Sequence, residues 1–331
     1  MKRYFRVLAQ WLLPLTLLGC GDKHQAEEPW SAYYQQLENA LDDGSIERQS
    51  PPNIGEFPAR KARLFDIDET RDSLLNIYAL RECDITSLVA ARNNQLGKVA
   101  PPSQQWLYER TLWQRLTLCW TSNVPKELSE ESRERLRRLT GTKTSQLPYV
   151  SWNALFDSDE WIASFARASH PLKIGAMPDI ESQLDAVHYL QQMVEHQFSL
   201  AWHQDSSRLE QHLNTLRARP LTAEILRTLM LATQRLNDAS EYLNQYAAPN
   251  ETCLPMWDQQ RLTTFSHSAK RWLTAVNNLI NRHPIVAPEA LQAYQSTWLS
   301  LAARNSPWQQ FQAAIDTHDR ARSRFAHCAT D

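Results

Sequence analysis

Glycine is scarce in this 331-residue chain, which contains seven. A hairpin-rich sheet or a glycine-fingerprint nucleotide loop needs many left-handed backbone positions, and few residues here accept them without cost. The signatures Gly-x-Ser-x-Gly, His-Glu-x-x-His and the phosphate loop are all missing, so no compact hydrolase, metalloprotease or nucleotide motif can be pointed to. An excess of basic charge is missing as well. With 35 basic and 37 acidic residues the net charge is −2, and no field exists to hold nucleic acid. Cysteine is present but never clustered: positions 20, 83, 119, 253 and 328 form neither a Cys-x-x-Cys pair nor a Cys/His group suited to zinc or redox chemistry. The N-terminal apolar run from Val7 to Leu18 is also too short to span a bilayer, which takes about 20 residues.

That short run does have a meaning as a leader. Lys2, Arg3 and Arg6 form a positive start, and the run closes on Leu17-Leu18-Gly19-Cys20, a lipobox. The segment resembles the signal peptides of bacterial lipoproteins. The resemblance implies that residues 1–19 are removed, that the Cys20 thiol is diacylated and that the freed amine is acylated, giving durable multi-chain anchoring. Gly21 follows the cysteine and Asp22 comes one later, so the usual inner-membrane retention signal, Asp directly after Cys, is absent. The expected location is the outer membrane, facing the periplasm. Loss of three basic residues leaves 32 against 37 acidic ones, a net charge near −5. Residues 20–29 are expected to be a lipidated polar tether, which at roughly 3.3 Å per residue holds the body within about 30 Å of the lipid.

Helix periodicity dominates the rest. The expected fold class is all-α, a multi-helix bundle of long antiparallel helices with two disulfides. An N-terminal helical subdomain covers 30–177 and a C-terminal bundle 178–331. A first helix is expected over Trp30–Leu41, then a Gly/Pro-rich loop to Arg63, then a helix over Thr70–Gln95 stopped at a left-handed Gly97. Pro101-Pro102 and an N-capping Ser103 start its hairpin partner, on which Trp106, Trp113 and Trp120 recur every seven residues along a core-facing stripe. Glu130 and Glu131 followed by Arg133, Arg135, Arg137 and Arg138 match the dipole of a solvated helix. A connection with a short helix near 159–168 then leads to a long helix from Ile180 toward Arg217, with apolar residues including Phe198 and Ala201 at three-four spacing. After Pro220 and a capping Thr222, the stripes Ile225–Tyr246, Leu262–Leu279 and Leu291–Trp308 predict three more helices.

Cys83 and Cys119 lie equally far from the hairpin midpoint near Pro101, which predicts that they pair. Cys253 then pairs with Cys328, which requires the last helix to run back beside the third, with Pro307 restarting it.

Three clusters carry possible chemistry. Phe65-Asp66-Ile67-Asp68-Glu69-Thr70 resembles the nucleophile motif of haloacid-dehalogenase-like phosphatases, but Arg60, Lys61 and Arg63 stand where that chemistry needs a buried apolar strand. It is expected to be an acidic helix start. His188, His196, His203 and His212 fall in one segment, where the shared face of His196 and His203 leaves them about 10 Å apart, too far to chelate one metal alone. No metal or cofactor is implied. The densest specific polar cluster is Arg92-Asn93-Asn94-Gln95-Leu96-Gly97-Lys98, with Ser103 and Tyr108-Glu109 after it. Arg92, Asn93, Asn94, Gly97, Lys98 and Ser103 are the candidate interaction residues, because helix ends, Arg and Asn suit carboxylates, sugars or partner backbones. A hairpin-locking network is the plainer reading of the same residues.

The stretch Cys83–Glu109, with the lipobox and total length, resembles a lipoprotein family of Gram-negative bacteria, domain of unknown function 3080. Asn94 stands where that family is expected to carry Ser. The resemblance implies no activity, cofactor or catalytic residue. The expected function is therefore an interaction or envelope-maintenance module with a membrane anchor and an envelope-protein partner. The alternatives are a carrier of an apolar ligand and a periplasmic hydrolase.

Overall fold

Helix begins where a tether was expected. In the computed structural model, which describes residues 21–41, 44–70, 72–246, 253–256 and 258–327, α1 runs over Gly21–Leu41. Cys20 and the leader lie outside the described residues. Ala26, Trp30, Tyr33, Tyr34 and Leu37 form one buried stripe that extends the expected helix back past Pro29. Glu27 pairs with the buried Arg235 at 2.8 Å and Glu28 with Lys173 at 2.6 Å. These contacts bind to the body a segment that its polar composition had marked as free.

The chain then runs irregularly from 44 to 59, with Ile54 fully buried, into the single turn α2 (Arg60–Arg63). The expected Thr70–Gln95 helix is broken into α3 (Leu74–Tyr78), a 3-10 turn at Arg81–Cys83, α4 (Thr86–Asn93) and α5 (Gln95–Lys98). Two devices break it. The Ser73 hydroxyl accepts from the Asn76 N–H and starts a new helix, and Asp84 adopts a left-handed conformation at φ 54°, held there by Arg115 on both its carbonyl and its carboxylate. Gly97 is not the left-handed stop. It sits inside α5, where a Cβ would strike the carbonyls of Ala91 and Arg92.

α6 (Pro102–Trp120) starts from Pro101, and Ser103 is a buried first-turn residue instead of the cap. Trp106 and Trp113 are buried and Trp120 half-buried, as the seven-residue spacing predicts. The turn α7 (Val124–Glu127) leads to α8, Glu130–Phe156, capped by Ser129 and carrying the ion pairs Glu131–Arg135 and Glu134–Arg137 on its exposed start. α8 passes through Gly141 and Pro148, because Leu147, Ser151, Trp152 and Leu155 continue a buried stripe that outweighs the missing proline N–H. It lies antiparallel to α6, with Glu109 beside Lys143 and Trp113 donating to Thr144. Cys83 and Cys119 are bonded, with Cα atoms 5.1 Å apart. That predicted pairing is present. Cys328 lies outside the described residues.

α9 (Asp159–Ala163) is capped by Ser158. The long helix expected from Ile180 is a hairpin of α10 (Glu181–Glu195) and α11 (Ser206–Arg217). Asp205 caps α11 through the N–H groups of Ser207 and Arg208, and Phe198 and Ala201, counted in the periodic stripe, are exposed turn residues. α12 (Leu221–Asn244) matches its stripe, although Thr222 is buried and bonded to Ser164 instead of capping.

The two-residue strand β1 (Cys253–Leu254) precedes α13 (Gln259–Asn281). The fourth stripe ends early: α14 (Glu289–Tyr294) relaxes into a π-turn at Gln295–Leu299, Ser300 is extended, and α15 restarts at Pro307 and runs to Arg322. A short β2 (Ala326–His327) follows.

The arrangement is not uniformly antiparallel. α15 does run back beside α13, with Gln259 near Asp319 and Ser266 near Gln312. Its main neighbour is α12, however, and the two run parallel: Ser240 meets His318 and Leu243 meets Arg324. Both feed the parallel pair β1–β2. One core cluster contains Trp30, Trp106 and Trp152 together with Leu229 and Trp272.

Candidate interaction cleft

The site grows from a strap, residues 64–70, laid along the C-terminal half of α8. Asn153 of α8 bonds both the N–H and the carbonyl of Phe65, at 3.0 and 2.7 Å, as a neighbouring strand would. Trp152 donates to the carbonyl of Arg63 at 2.8 Å, and Gln146 donates to that of Asp68 at 2.8 Å. Arg60 grips Asp157 at the end of α8. Beyond the strap, α4 and α5 lean over α6, joined to it by the Cys83–Cys119 bond and a small core of Leu80, Ile85, Leu112, Leu116, Leu136 and Leu139.

Between these walls lies a cleft of about 840 Å³, and a second of about 530 Å³ adjoins it. Ile67, Asp68, Glu69, Thr70 and Asp72 line both, so the strap divides one groove into two chambers. The larger is lined by Arg92, Asn93, Lys98, Tyr108 and Glu109, which brings the polar cluster of the hairpin and the acidic segment of the strap to a single place. Nothing in their sequence separation announces this.

The candidate residues divide by role. Arg92, Asn93 and Lys98 line the cleft. Asn94 caps α5 by accepting from the Gly97 N–H at 2.8 Å, and Arg92 donates to the Gly97 carbonyl at 2.6 Å. Ser103 faces elsewhere, donating to Glu210 at 2.8 Å and tying α6 to α11. The Arg92 guanidinium lies 5.9 Å from the centre of the Tyr108 ring. Burial, aided by the Glu109 carboxylate and opposed by Arg92, pushes the Tyr108 phenol up to about 12, so it stays a neutral donor. The residues missed by sequence reasoning are Gln146, Asn153 and Asp157. All three lie beyond Gly141, where the continuing Leu147–Trp152–Leu155 spacing was the available signal.

The phosphatase-like segment has the wrong setting for that chemistry. Asp66, Asp68 and Glu69 are exposed on an irregular strap and not at the end of a buried strand. Among the described residues, no group of three His, Cys, Asp or Glu side chains is placed to hold a metal ion. His188, His196 and His203 are exposed, and His212 stacks on Tyr189 at 4.5 Å. His196 and His203 do not share a face, because α10 ends at Glu195. No helix among the described residues is long and apolar enough to cross a membrane.

These features define an all-α protein with a charged groove between a strap and a disulfide-fastened hairpin. The chain belongs to the family described as Protein of unknown function (DUF3080), whose model matches residues 30–267. No curated protein and no solved structure matches the chain.

Proposed function

We propose that this chain is a lipid-anchored outer-membrane lipoprotein facing the periplasm, where it acts as an interaction or envelope-maintenance module through the cleft. The observation that carries the reading is the meeting of Arg92, Asn93 and Lys98 with the strap in one groove, beside exposed apolar side chains. Leu75, Tyr78, Leu96 and Val99 are 58–82% exposed on the same hairpin. Such a concentration of apolar surface on one segment marks a contact face more often than a monomer's bare exterior. The lipobox supports the anchor, and a disulfide supports an oxidising compartment. A second bridge, Cys253 to Cys328, is part of the proposal: β1 and β2 register Cys253 opposite Ala326, two residues from Cys328.

Crosslinking in intact cells, followed by denaturing purification and mass spectrometry, tests the reading. A reproducible protein partner whose yield falls when Lys98 or Asn93 is changed supports it. Stoichiometric lipid without a protein partner would instead favour the apolar carrier. Phosphatase activity lost in Asp66→Asn would favour the hydrolase.

A further inference from the structure

The charges around the larger chamber are sorted by wall. Several neutralise each other within the protein: Arg60 with Asp157 at 2.8 Å, Lys143 with Glu109 at 2.9 Å and Arg135 with Asp72 at 3.6 Å. Three do not. Among the described residues, Arg92 and Lys98 on the hairpin wall have no carboxylate within 4 Å, and the Asp68 carboxylate on the strap has no cation. Arg92 spends one of its five N–H donors on Gly97, and that bond holds the guanidinium at the groove. Between the two walls the lining includes the buried apolar side chains of Ile77, Ile85, Leu112 and Leu116.

We propose that this chamber binds a short extended peptide segment carrying both a carboxylate and an ammonium group. The carboxylate sits at Arg92 and Lys98, the ammonium at Asp68, and apolar side chains lie on the floor between them. Charge complementarity selects this occupant over a lipid or a polyanion: an acyl chain leaves all three charges unanswered, and a polyanion meets Asp68 as a like charge. The volume, about 840 Å³, falls in the usual range of about 300–1,000 Å³ for ligand sites and admits a few residues, not a folded domain. Arg suits a carboxylate because its planar donors meet both oxygens, while Lys98 adds a point charge on a flexible stem. The proposal rests on the reading of the cleft as the contact site and specifies what it contacts.

Calorimetric titration of the purified full chain with the tetrapeptide Ala-Leu-Leu-Ala tests it, using versions with free ends, with an acetylated amine, with an amidated carboxyl, and with both ends blocked. The free peptide should bind, and blocking either end should weaken it about fivefold, the effect of a partly desolvated charge pair worth about 1 kcal/mol. The pairing is read from the variants. Amidation should cost less in Lys98→Gln than in the native chain, because only Arg92 is left to meet the carboxylate, and acetylation should cost little in Asp68→Asn, which has already lost the partner of the ammonium. Both positions are exposed, and circular dichroism checks that the helices persist. Equal binding of the free and doubly blocked peptides, or no binding of any version at millimolar concentration, overturns the proposal. A crosslinked partner still lost on changing Lys98 would then leave the contact reading standing. Peptide binding with the pattern above, but a partner indifferent to Lys98 and Asp68, would sink only the contact reading.

Discussion

Arg110 offers the sharpest test of how the helices are held. Its side chain is fully buried on α6, and among the described residues it forms no ion pair with a carboxylate. It is answered instead by backbone: Nη2 donates to the carbonyls of Ser199 and Trp202 at 2.9 Å and of His196 at 3.3 Å, while Nη1 reaches the Gln204 side chain at 3.3 Å. The guanidinium also lies 5.0 Å from the centre of the Trp202 ring. It therefore sits where α10 ends, at the negative end of that helix dipole, and closes the turn that makes α10 and α11 a hairpin. Arg110→Met keeps the aliphatic stem and removes every donor. The carbonyls of Ser199 and Trp202 are then orphaned at about 1–3 kcal/mol each, partly offset because a buried charge no longer has to be desolvated. A net loss of about 3 kcal/mol is expected, which at a urea slope near 3 kcal/mol/M lowers the midpoint by about 1 M. Urea titration followed by tryptophan fluorescence measures it. Arg110→Lys, a point charge without the planar fork, should fall between. A midpoint unchanged in Arg110→Met would refute the claim that this guanidinium organises the hairpin.

His283 packs against the rings of Trp152 and Phe156, 5.0 and 5.6 Å away, and burial pushes it down to about 4. Its folded value lies below the ordinary 6.5, so its contribution is complete above pH 6.5 and is lost as pH falls toward 4. That loss amounts to about 3 kcal/mol. The melting temperature should accordingly decline over that window in the native chain and decline less in His283→Phe; parallel curves would exclude His283 as the cause. Cys83→Ser should leave Cys119 as a thiol that maleimide labels, and should remove about 4 kcal/mol of loop-closure stabilisation from a 36-residue separation. Unchanged labelling would show that Cys119 was never paired with Cys83.

The helical class and the Cys83–Cys119 bond were legible because each depends on local pattern: α12 and α13 carry their stripes through whole turns, and the cysteines sit symmetrically about Pro101. The misreadings share a cause, which is side-chain chemistry acting across sequence. The stripe through Phe198 looked continuous, yet Asp205 and the distant Arg110 made a turn there. Thr70–Gln95 looked like one helix, yet Arg115 stabilised a left-handed Asp84. Gly97 is needed for close approach to the preceding carbonyls and not for positive φ, a distinction that sequence does not contain. Of the candidate residues, Arg92, Asn93 and Lys98 were found from polar density alone. Their meeting with Asp68 depends on Asn153 and Gln146 pinning the strap, contacts 78–88 residues distant along the chain.

The union of the first described helix with the last sets the order in which the molecule can be completed. Tyr33 of α1 meets His318 and Arg322 of α15, and Arg322 lies 289 residues further along the chain. Glu27 likewise waits for Arg235. While the polypeptide is being made, α1 therefore forms its hydrophobic stripe long before the helices that cover it, α12 and then α15, have emerged. Contacts of such long range slow the search for the native state and prolong exposure of an aggregation-prone surface. A nascent chain of this design must be shielded or kept unfolded until those helices arrive, and a chain truncated before Pro307 would leave the part of the stripe around Tyr33 without its α15 partners.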